Sequence, residues 1–373
     1  MPSPMIHEYS RCWAEVDLDN LRHNLRTLRG LLAPGAKHCF VIKADGYGHG
    51  LLPVAQCAVN EGVEWLAVAT VSEGIALRQA GISCPILVLA PILSLDCDVL
   101  VRYDLRNLVE ELAAAQALAV AARRQGRSVR VHLKVDTGMA RFGAQPEEAV
   151  DLACSIADIP CLVLEGIATH FSSCAVDLPY THKQYEGFIR IVEELERRGL
   201  HVPLLHCANS AALIRMPKHV QHALVRSGLL AFGIRNVPCP DVDLRPVLTW
   251  RTRIMALREI PAGRRVGYGG TWTTEKRTRI ATLGTGYADG YPRELSNKGC
   301  VLIHGQEAPI RGIVCMDQTM VDVTRIPEAR VGDVVGLVEG PITAERLAEW
   351  VGTTPHEIPC RLTGRVPRIY LNE

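Results

Sequence analysis

The sequence predicts an α/β fold in which a (β/α)8, TIM-like barrel is followed by a mostly β carboxy-terminal domain. From residue 39 onward, short apolar runs rich in Val, Ile and Leu alternate with longer stretches of helical period. Beyond Pro238–Pro240 the pattern changes to closely spaced alternating runs separated by Gly and Pro. A doubly wound sheet is the rival fold, but no G-x-G-x-x-G motif follows the first strand. We therefore expect a barrel at residues 16–240 and a β domain at residues 241–373.

The eight barrel strands are predicted from the apolar runs, and the helices from the stretches between them. Several predicted helices are followed by Gly, the usual residue just past a helix end. The strand candidates are Cys39–Lys43, Trp65–Ala69, Ile86–Ala90, Leu105–Val109, Val131–Asp136, Leu162–His170, Leu204–Cys207 and Ala223–Arg226. The helix candidates are Leu51–Glu61, Val71–Ala80, Glu110–Gln125, Pro146–Ala157, Thr181–Arg198 and Ser210–Arg215.

Alternating runs are also present at both ends of the chain. The early run Cys12–Leu18 predicts a strand, and Asp19 is predicted to cap a helix that continues to Arg29. This first strand, at residues 10–16, could join either domain. The strands predicted for the β domain are Thr252–Leu257, Arg279–Leu283, Cys300–Ile303, Met320–Val323 and Val334–Val338.

Composition excludes several classes of protein. The chain has 373 residues and a net charge of +1, so no basic excess indicates nucleic acid. The longest apolar stretch, Cys84–Leu95, is interrupted by Pro85 and Pro91 and is too short to span a membrane. The first residues lack the pattern of a secretory signal. The 13 cysteines form no C-x-x-C pair, which favours reduced thiols in a cytoplasmic protein over disulfides or a metal site.

Polar residues follow five of the eight predicted strands. Catalytic groups of such barrels lie at the carboxyl ends of the strands, so we expect these side chains to share one site. Lys43, at the end of the first strand, is followed by a Gly-rich turn that carries Tyr47. A lysine at a strand end is usually a solvated charge, but in a barrel mouth its amine could form a Schiff base with an aldehyde cofactor. The other polar or glycine residues at strand ends are Lys134, Asp136, Gly138, Arg141, His170, His206, Asn209, Ser210, Arg226 and Gly228.

The residues after the last two strands indicate an anionic cofactor. Gly228 and Leu229 can present backbone N–H groups, and Ser210 and Tyr47 can offer hydroxyls. Barrels often bind a phosphate at this position. Arg226 would be a fixed cation inside the barrel mouth.

Taken together, the ordered motifs resemble the alanine racemase family, whose members are pyridoxal 5'-phosphate enzymes with a barrel joined to a β domain. The resemblance covers nearly the whole chain, and the set of motifs is far more specific than any one of them. The motifs are Val41–Gly50, His132–Gly143, Thr169–Phe171, His206–Ala212, Val225–Gly228, Val266–Gly269, Gly286–Tyr291, Cys315–Gln318 and Arg365–Arg368.

The resemblance implies a two-base racemisation of alanine. Lys43 would hold pyridoxal phosphate as an aldimine and act on one face of the substrate. Tyr268 of the partner subunit would act on the other face, so the enzyme would be a homodimer with shared active sites. Arg226 would face the pyridine nitrogen with His206 behind it, and His170 would link Tyr268 to Arg226. The family role would be the supply of D-alanine for peptidoglycan.

The resemblance also assigns the remaining site residues. Arg141, together with Met316 of the partner subunit, would bind the substrate carboxylate. Lys134 is placed for carbamylation, with an unmodified lysine as the alternative. The cofactor would be held by Lys43, Tyr47, His170, Ser210, Arg226, Gly228 and Leu229. The supporting residues would be Lys134, His206, Asn209, Tyr287 and Asp317.

One position departs from the family pattern. Gly364 precedes Arg365–Arg368 where the family usually has a tyrosine that narrows the pocket. Loss of that ring predicts a wider pocket and a relaxed specificity that extends to serine or larger amino acids, unless a neighbouring side chain fills the gap.

Two different functions compete with racemisation. One is that of a non-catalytic pyridoxal-phosphate carrier, but such carriers resemble the barrel half alone, whereas this chain continues for about 130 residues beyond it. The other is that of a pyridoxal-phosphate decarboxylase of related architecture, whose motifs are missing from the sequence.

Overall fold

The barrel predicted from the sequence is present in a computed structural model that describes residues 10–373. Segment 1–9, in which we expect no secretory signal, lies outside the described residues. Eight parallel strands form a nearly closed barrel, and a second eight-stranded sheet follows it. The predicted fold class is thereby confirmed. Within the described part of the chain, none of the helices has the length and apolar character needed to cross a membrane.

From the first barrel strand to the seventh, strands that are neighbours along the chain pair with each other. The first and last barrel strands also pair, through Cys39 and Arg226. The last two strands form no ladder with each other. Backbone hydrogen bonds still join them, as where Ala223 N–H donates to Leu205 O at 3.1 Å. After a preceding strand β1 (Cys12–Asp17), the barrel strands are β2 (Lys37–Val41), β3 (Trp65–Val68), β4 (Ile86–Val88), β5 (Arg106–Val109), β6 (Val129–Lys134), β7 (Leu162–Ala168), β8 (Leu204–His206) and β9 (Leu224–Ser227).

The barrel helices lie between these strands, and the sequence predicts seven of the eight with shifts of a few residues at their ends. The short helix at Cys97–Arg102 is not predicted, because the preceding proline-broken apolar run carries no helical period. The helices are α1 (Leu18–Gly30), α2 (Leu51–Asn60), α3 (Val71–Gln79), α4 (Cys97–Arg102), α5 (Leu112–Arg124), α6 (Pro146–Ala157), α7 (Leu178–Arg197) and α8 (Ser210–Arg215).

The predicted cap of α1 is wrong. Asp17, not Asp19, occupies the cap position, and its carboxylate accepts the N–H groups of Asp19 and Asn20 at 2.9 and 3.1 Å. Asp17 is also the last residue of β1, so strand and helix follow without a loop. Asp19 instead lies in the first helical turn, where a negative charge is favourable.

Four predicted strand ends, at Lys43, Ala90, Asp136 and His170, are also wrong, because each strand ends two residues earlier. Two of these differences matter most for the site. β2 ends at Val41, so Lys43 opens a turn rather than ending the strand. β7 ends at Ala168, and His170 lies two residues beyond it. In both places the chain leaves the ladder at the barrel rim, which brings the two side chains over the barrel opening instead of into a strand pair.

The carboxy-terminal sheet includes the first strand of the chain. β1 pairs with β10 in antiparallel fashion and with β18 in parallel fashion. Two helices in this region, α9 (Ala344–Val351) and α10 (Glu357–Cys360), are not predicted by the sequence. The strands are β10 (Leu248–Ile260), β11 (Arg265–Val266), β12 (Trp272–Thr273), β13 (Thr278–Leu283), β14 (Cys300–Ile303), β15 (Gln306–Pro309), β16 (Thr319–Asp322), β17 (Val334–Val338) and β18 (Arg368–Leu371), of which β11 and β12 form a separate ribbon.

The barrel interior is a small apolar cluster with polar groups around it. Cys39, Trp65, Leu87 and Leu224 are members of this cluster and are almost fully buried. A larger core fills the space between the strands and the helices and continues into the second domain. The barrel is therefore filled in its middle, and a cavity opens at the carboxyl ends of the strands.

Candidate active site

A cavity of about 590 Å³ opens at the carboxyl ends of the barrel strands. Its apolar floor is formed by side chains of the barrel interior, and its walls are polar. This arrangement is typical of a small-molecule site, in which a few polar groups fix the orientation of the ligand. The polar or glycine lining residues are Lys43, Tyr47, Lys134, Arg141, Thr169, His170, Asn209, Ser210, Arg226, Gly228, Asn236 and His356.

Lys43 enters the cavity from a left-handed turn. Ala44, Asp45 and Gly46 have φ values of 54°, 55° and 60°, a conformation that costs roughly 1–2 kcal/mol for each residue with a side chain. Two carboxylates support the turn: Glu73 accepts Ala44 N–H at 2.7 Å, and Asp45 accepts the N–H of α2 residue Leu51 at 2.8 Å. Such strain is found mainly at functional sites.

The amine of Lys43 is a good nucleophile in this setting. Burial lowers its pKa, and the positive charge of Arg141 lowers it further. A larger share of the amine is therefore unprotonated near neutral pH than in a solvated lysine, and the free amine is the form that attacks an aldehyde.

A small polar cradle follows β9. Gly228 N–H lies 3.1 Å from Ser210 Oγ. A Cβ at Gly228 would come within 2.9 Å of Tyr47 Oη and 3.1 Å of Val41 O, so only glycine leaves this space open. Burial raises the pKa of Tyr47, which keeps its phenol protonated and able to donate. Two hydroxyls and the N–H groups of the Gly228 turn thus surround one small space.

Arg226 is the most completely buried cation of the cavity apart from Lys134, with 6% of its surface exposed. Nη1 donates to His206 Nδ1 and His206 O, both at 2.7 Å. Nη2 donates to Thr169 O at 2.7 Å and lies 3.2 Å from His170 Nδ1. Burial lowers the pKa of Arg226, but a guanidinium keeps its charge at any physiological pH. The guanidinium is therefore a rigid, permanently charged group at the cavity wall.

The two histidines beside Arg226 are neutral. Burial lowers the pKa of His170 and His206 well below the usual range, and the charge of Arg226 adds to this effect. Each imidazole therefore has one bare nitrogen to offer the guanidinium.

Lys134 and Arg141 occupy the wall after β6. Lys134 Nζ donates to Val135 O at 2.6 Å and lies 5.4 Å from the centre of the Phe142 ring. Arg141 faces the same ring at 5.5 Å. Burial and the charge of Arg226 lower the pKa of Lys134 to about 8. Unlike a surface lysine, its amine is thus partly neutral at mildly alkaline pH.

Four predicted residues lie in the second domain, outside this cavity. Tyr268, Met316 and Tyr287 are 74%, 52% and 42% exposed, which is unusual for large apolar side chains. Asp317 pairs with Arg365 at 2.7 Å. Backbone hydrogen bonds from Tyr287 N to Cys315 O and from Ala288 N to Met316 O join the segments that carry Tyr287 and Met316. All four side chains are therefore available at the surface of a single chain.

Three polar lining residues are not predicted as site residues from the sequence. Thr169 adjoins the predicted His170, so its position at a strand end was the available signal. Asn236 follows the last barrel strand by nine residues, in a loop without periodicity. His356 comes from the second domain of the same chain, and no sequence pattern connects it with the barrel mouth.

The comparisons with known proteins decide the family. The model of the alanine racemase amino-terminal domain matches residues 16–236, and the model of the carboxy-terminal domain matches residues 247–370. The chain belongs to the alanine racemase family.

Alanine racemases from several organisms are similar to the whole chain. That of Halothermothrix orenii is 43% identical over 370 residues, which cover 97% of each protein. That of Desulfovibrio desulfuricans is 42% identical and covers 96% of this chain and 98% of the relative.

Solved structures show the same likeness. The alanine racemase of Clostridium difficile 630 superposes with a TM-score of 0.94 at 36% identity, covering 97% of this chain and 96% of that one. An alanine racemase structure from Bartonella henselae, described with covalently bound pyridoxal phosphate, gives 0.89 at 26% identity and covers 97% of this chain and 100% of that one.

Proposed function

We propose that this protein interconverts L- and D-alanine with pyridoxal phosphate as its cofactor. The observation that carries the proposal is the position of Lys43. Its half-buried amine, with a lowered pKa, shares one cavity with the Gly228 cradle and the Arg226 guanidinium. The family membership and the names of the relatives support the same activity.

The residues of the cavity fit this cofactor group by group. The space that a Cβ at Gly228 would fill suits a phosphate, with hydroxyls from Ser210 and Tyr47 and N–H groups from Gly228 and Leu229. Lys43 supplies the amine for the aldehyde, and Arg226 supplies a charged donor for the pyridine nitrogen. When bound, pyridoxal phosphate withdraws electrons from the substrate α-carbon and so acidifies its α-hydrogen.

Racemisation requires two acid/base groups, because the proton leaves one face of the α-carbon and returns to the other. We assign Lys43 to one face and Tyr268 of the partner subunit to the other. Tyr268 is 74% exposed in a single chain, and a homodimer would give it a site to enter. Met316, which is also exposed, would accompany it. This proposal makes the dimer necessary for activity.

Arg226 restrains the reaction. A guanidinium does not give up its proton, so Arg226 leaves the pyridine nitrogen unprotonated. An unprotonated pyridine nitrogen means weaker withdrawal of electrons from the substrate α-carbon. This favours the immediate return of a proton to the substrate over side reactions such as transamination. His206 holds the guanidinium in place through Nδ1 and its carbonyl oxygen. His170, at 3.2 Å from Nη2, would connect Arg226 to the tyrosine of the partner.

The remaining residues would bind and orient the substrate. Arg141 would receive the carboxylate, because it lines the cavity close enough to Lys43 to influence its pKa. A carbamylated Lys134 would carry a negative charge and orient Arg141 across the Phe142 ring that both contact. Asn209, whose carboxamide accepts Ala212 N–H at 3.0 Å, would fix the start of α8 at the cavity wall.

A second candidate is a racemase of relaxed specificity. A Cβ at Gly364 would meet no atom within 4 Å, so no neighbouring side chain packs directly against the backbone of Gly364. The neighbours Thr363 and Arg365 are fixed by hydrogen bonds to Ala288 O and Asp317. The space next to the Gly364 backbone is therefore open. Gly364 is exposed and does not itself line the cavity, so acceptance of serine or another larger amino acid is proposed from the missing family tyrosine.

The activity is tested by a chiral assay of alanine racemisation together with a visible spectrum. We expect alanine turnover and a cofactor absorption band in the native protein, and the loss of both in Lys43→Ala. Lys37→Ala is the matched control, since Lys37 is an exposed lysine at the start of β2, the strand that leads to Lys43. A cofactor band without turnover would instead support a carrier. Complementation of a D-alanine auxotroph with the gene would test the role in peptidoglycan supply. The cytoplasmic location stays a prediction.

A further inference from the structure

A chain of hydrogen bonds leads from Arg226 away from the cavity into the barrel interior. His206 accepts from Arg226 at Nδ1, and its Nε2 lies 2.7 Å from His132 Nδ1. His132 Nε2 lies 3.3 Å from Glu165 Oε2. Both imidazoles are fully buried, and Glu165 is the last member of this hydrogen-bond chain.

The chemistry of the two ends fixes the direction of every proton in this hydrogen-bond chain. Arg226 only donates, so Nδ1 of His206 must be bare and its proton must be on Nε2. That proton is donated to Nδ1 of His132, which must be bare in turn. His132 therefore carries its proton on Nε2 and donates it to Glu165. A carboxylate, which only accepts, is the group that completes this order.

The backbone is shaped to place Glu165 there. The register between β6 and β7 shifts by one residue, from Val131 opposite Leu164 to His132 opposite Gly166. Glu165 is the extra residue of this bulge, and the irregular pairing brings its carboxylate to the His132 ring. A Cβ at Gly166 would come within 2.4 Å of His132 Nδ1. Bulges of this kind often re-aim a side chain next to an active site.

The charge of Glu165 is maintained at the far end of the hydrogen-bond chain. Burial opposes its ionisation, but the bond to His132 and the charges of Arg106 and Arg130, at 3.4 and 3.6 Å, outweigh burial and lower its pKa. Arg226 needs such a partner. Within residues 10–373 its hydrogen bonds go to carbonyl oxygens and imidazole nitrogens, and none goes to a carboxylate. Glu165 is thus the carboxylate that the two histidines connect to Arg226.

We propose that Glu165 is a positioning residue for Arg226, acting through the tautomers of His132 and His206. Glu165 keeps the bare nitrogen of His206 turned toward the guanidinium, and so keeps the guanidinium fixed where the pyridine nitrogen would lie. This inference rests on the proposed function for its catalytic consequence, but its structural content can be tested without turnover.

Selective 15N labelling of histidine tests the tautomers in the full-length protein before cofactor is added. The two signals are assigned with His132→Asn and His206→Asn. We expect both residues of the wild type to carry the proton on Nε2. In Glu165→Leu, His132 loses its acceptor, and we expect its signal to show a mixture of tautomers. A wild-type His206 protonated on Nδ1 would overturn the proposal, whether or not the protein racemises alanine.

Steady-state racemisation by the holoenzyme tests the consequence. We expect kcat to fall roughly tenfold in Glu165→Leu with KM for alanine unchanged, since Arg226 would contact the cofactor and not the substrate. Glu64→Leu is the control, because Glu64 also accepts a hydrogen bond at the barrel, from His38 N–H, but lies outside the hydrogen-bond chain. Equal kcat values in the two variants would refute the proposed role.

A nearly isosteric variant covers the case in which Glu165→Leu does not fold. Glu165→Gln keeps an acceptor for His132 and removes only the charge. We expect a change in the 15N shift of His206 Nδ1 and a kcat about threefold lower. If shift and kcat both stay at wild-type values, the charge of Glu165 has no bearing on Arg226. Absence of alanine turnover in the wild type would refute the proposed function, whereas the tautomer result would remain valid.

Discussion

Gly48 lies directly beneath the carbonyl oxygen of Pro359, so close that an added Cβ would come within 2.0 Å of it. Gly48 ends the left-handed turn that carries Lys43, and Pro359 belongs to α10 of the second domain. Arg368 Nε reinforces the contact by donating to Gly48 O at 3.0 Å. The turn that presents Lys43 is therefore clamped between the two domains of one chain.

Substitution of Gly48 by Ala should separate these two surfaces. The clash is with backbone on both sides, so neither partner can move a side chain away. We expect Gly48→Ala to lower the free energy of unfolding by about 3 kcal/mol in a urea titration, and to weaken cofactor binding. Gly35→Ala is the matched control, since Gly35 has a similar φ of +82° but no atom within 4 Å of an added Cβ. The clamp is contradicted if both variants lose the same, smaller amount, about 1 kcal/mol.

Lys134 should make stability depend on alkaline pH. Its pKa is lowered from 10.5 to about 8 by burial and by Arg226, so the unfolded chain binds this proton more tightly than the folded protein. The contribution of Lys134 to the free energy of unfolding should therefore rise between pH 8 and pH 10.5, by on the order of 3 kcal/mol. Urea titrations of wild type and Lys134→Met in bicarbonate-free buffer measure the difference. A difference that does not change with pH would indicate a carbamylated lysine, which has no proton to lose in this range.

The barrel and most of the cavity could be predicted because they depend on local patterns. Apolar runs identify strands such as Trp65–Val68, and polar residues at their ends, such as Lys134 and Arg226, point to a shared rim. The bulge at Glu165 could not be predicted, since it shifts pairing between two strands without changing the pattern of either. His356 reaches the cavity only through the packing of the second domain, which is a contact between residues distant in sequence.

The left-handed conformation after Val41 could be predicted only as a Gly-rich turn. Ala44 and Asp45 adopt positive φ although neither is a glycine, because Glu73 and Leu51 hold the turn by hydrogen bonds from outside it. Local propensity favours the opposite hand at both positions. Tertiary contacts override propensity here, and this is why the sequence places Lys43 at the end of a strand.

Mixed dimers should show which chain supplies Tyr268. Lys43→Ala and Tyr268→Phe homodimers are each expected to be inactive, because each removes one acid/base group from both sites. If Tyr268 acts in the site of the partner, a heterodimer of the two variants contains one intact site. Unfolding and refolding of an equal mixture should then restore about a quarter of wild-type alanine turnover, since half of the dimers are mixed and half of their sites are intact. No recovery, with mixed dimers verified by mass spectrometry, would place Tyr268 in its own chain's site.

Gly364 should set the substrate range. A tyrosine introduced there would fill open space, since an added Cβ meets no atom within 4 Å and the backbone φ is not in the left-handed region. Exclusion of one extra group from a pocket is typically worth about 1–3 kcal/mol, so we expect the serine-to-alanine ratio of kcat/KM to fall at least about tenfold in Gly364→Tyr. Gly30→Tyr serves as control, because Gly30 has equally open surroundings at the end of α1. Chiral assays of both amino acids measure the ratio, and an unchanged ratio in Gly364→Tyr would mean that another wall of the cavity limits the side chain.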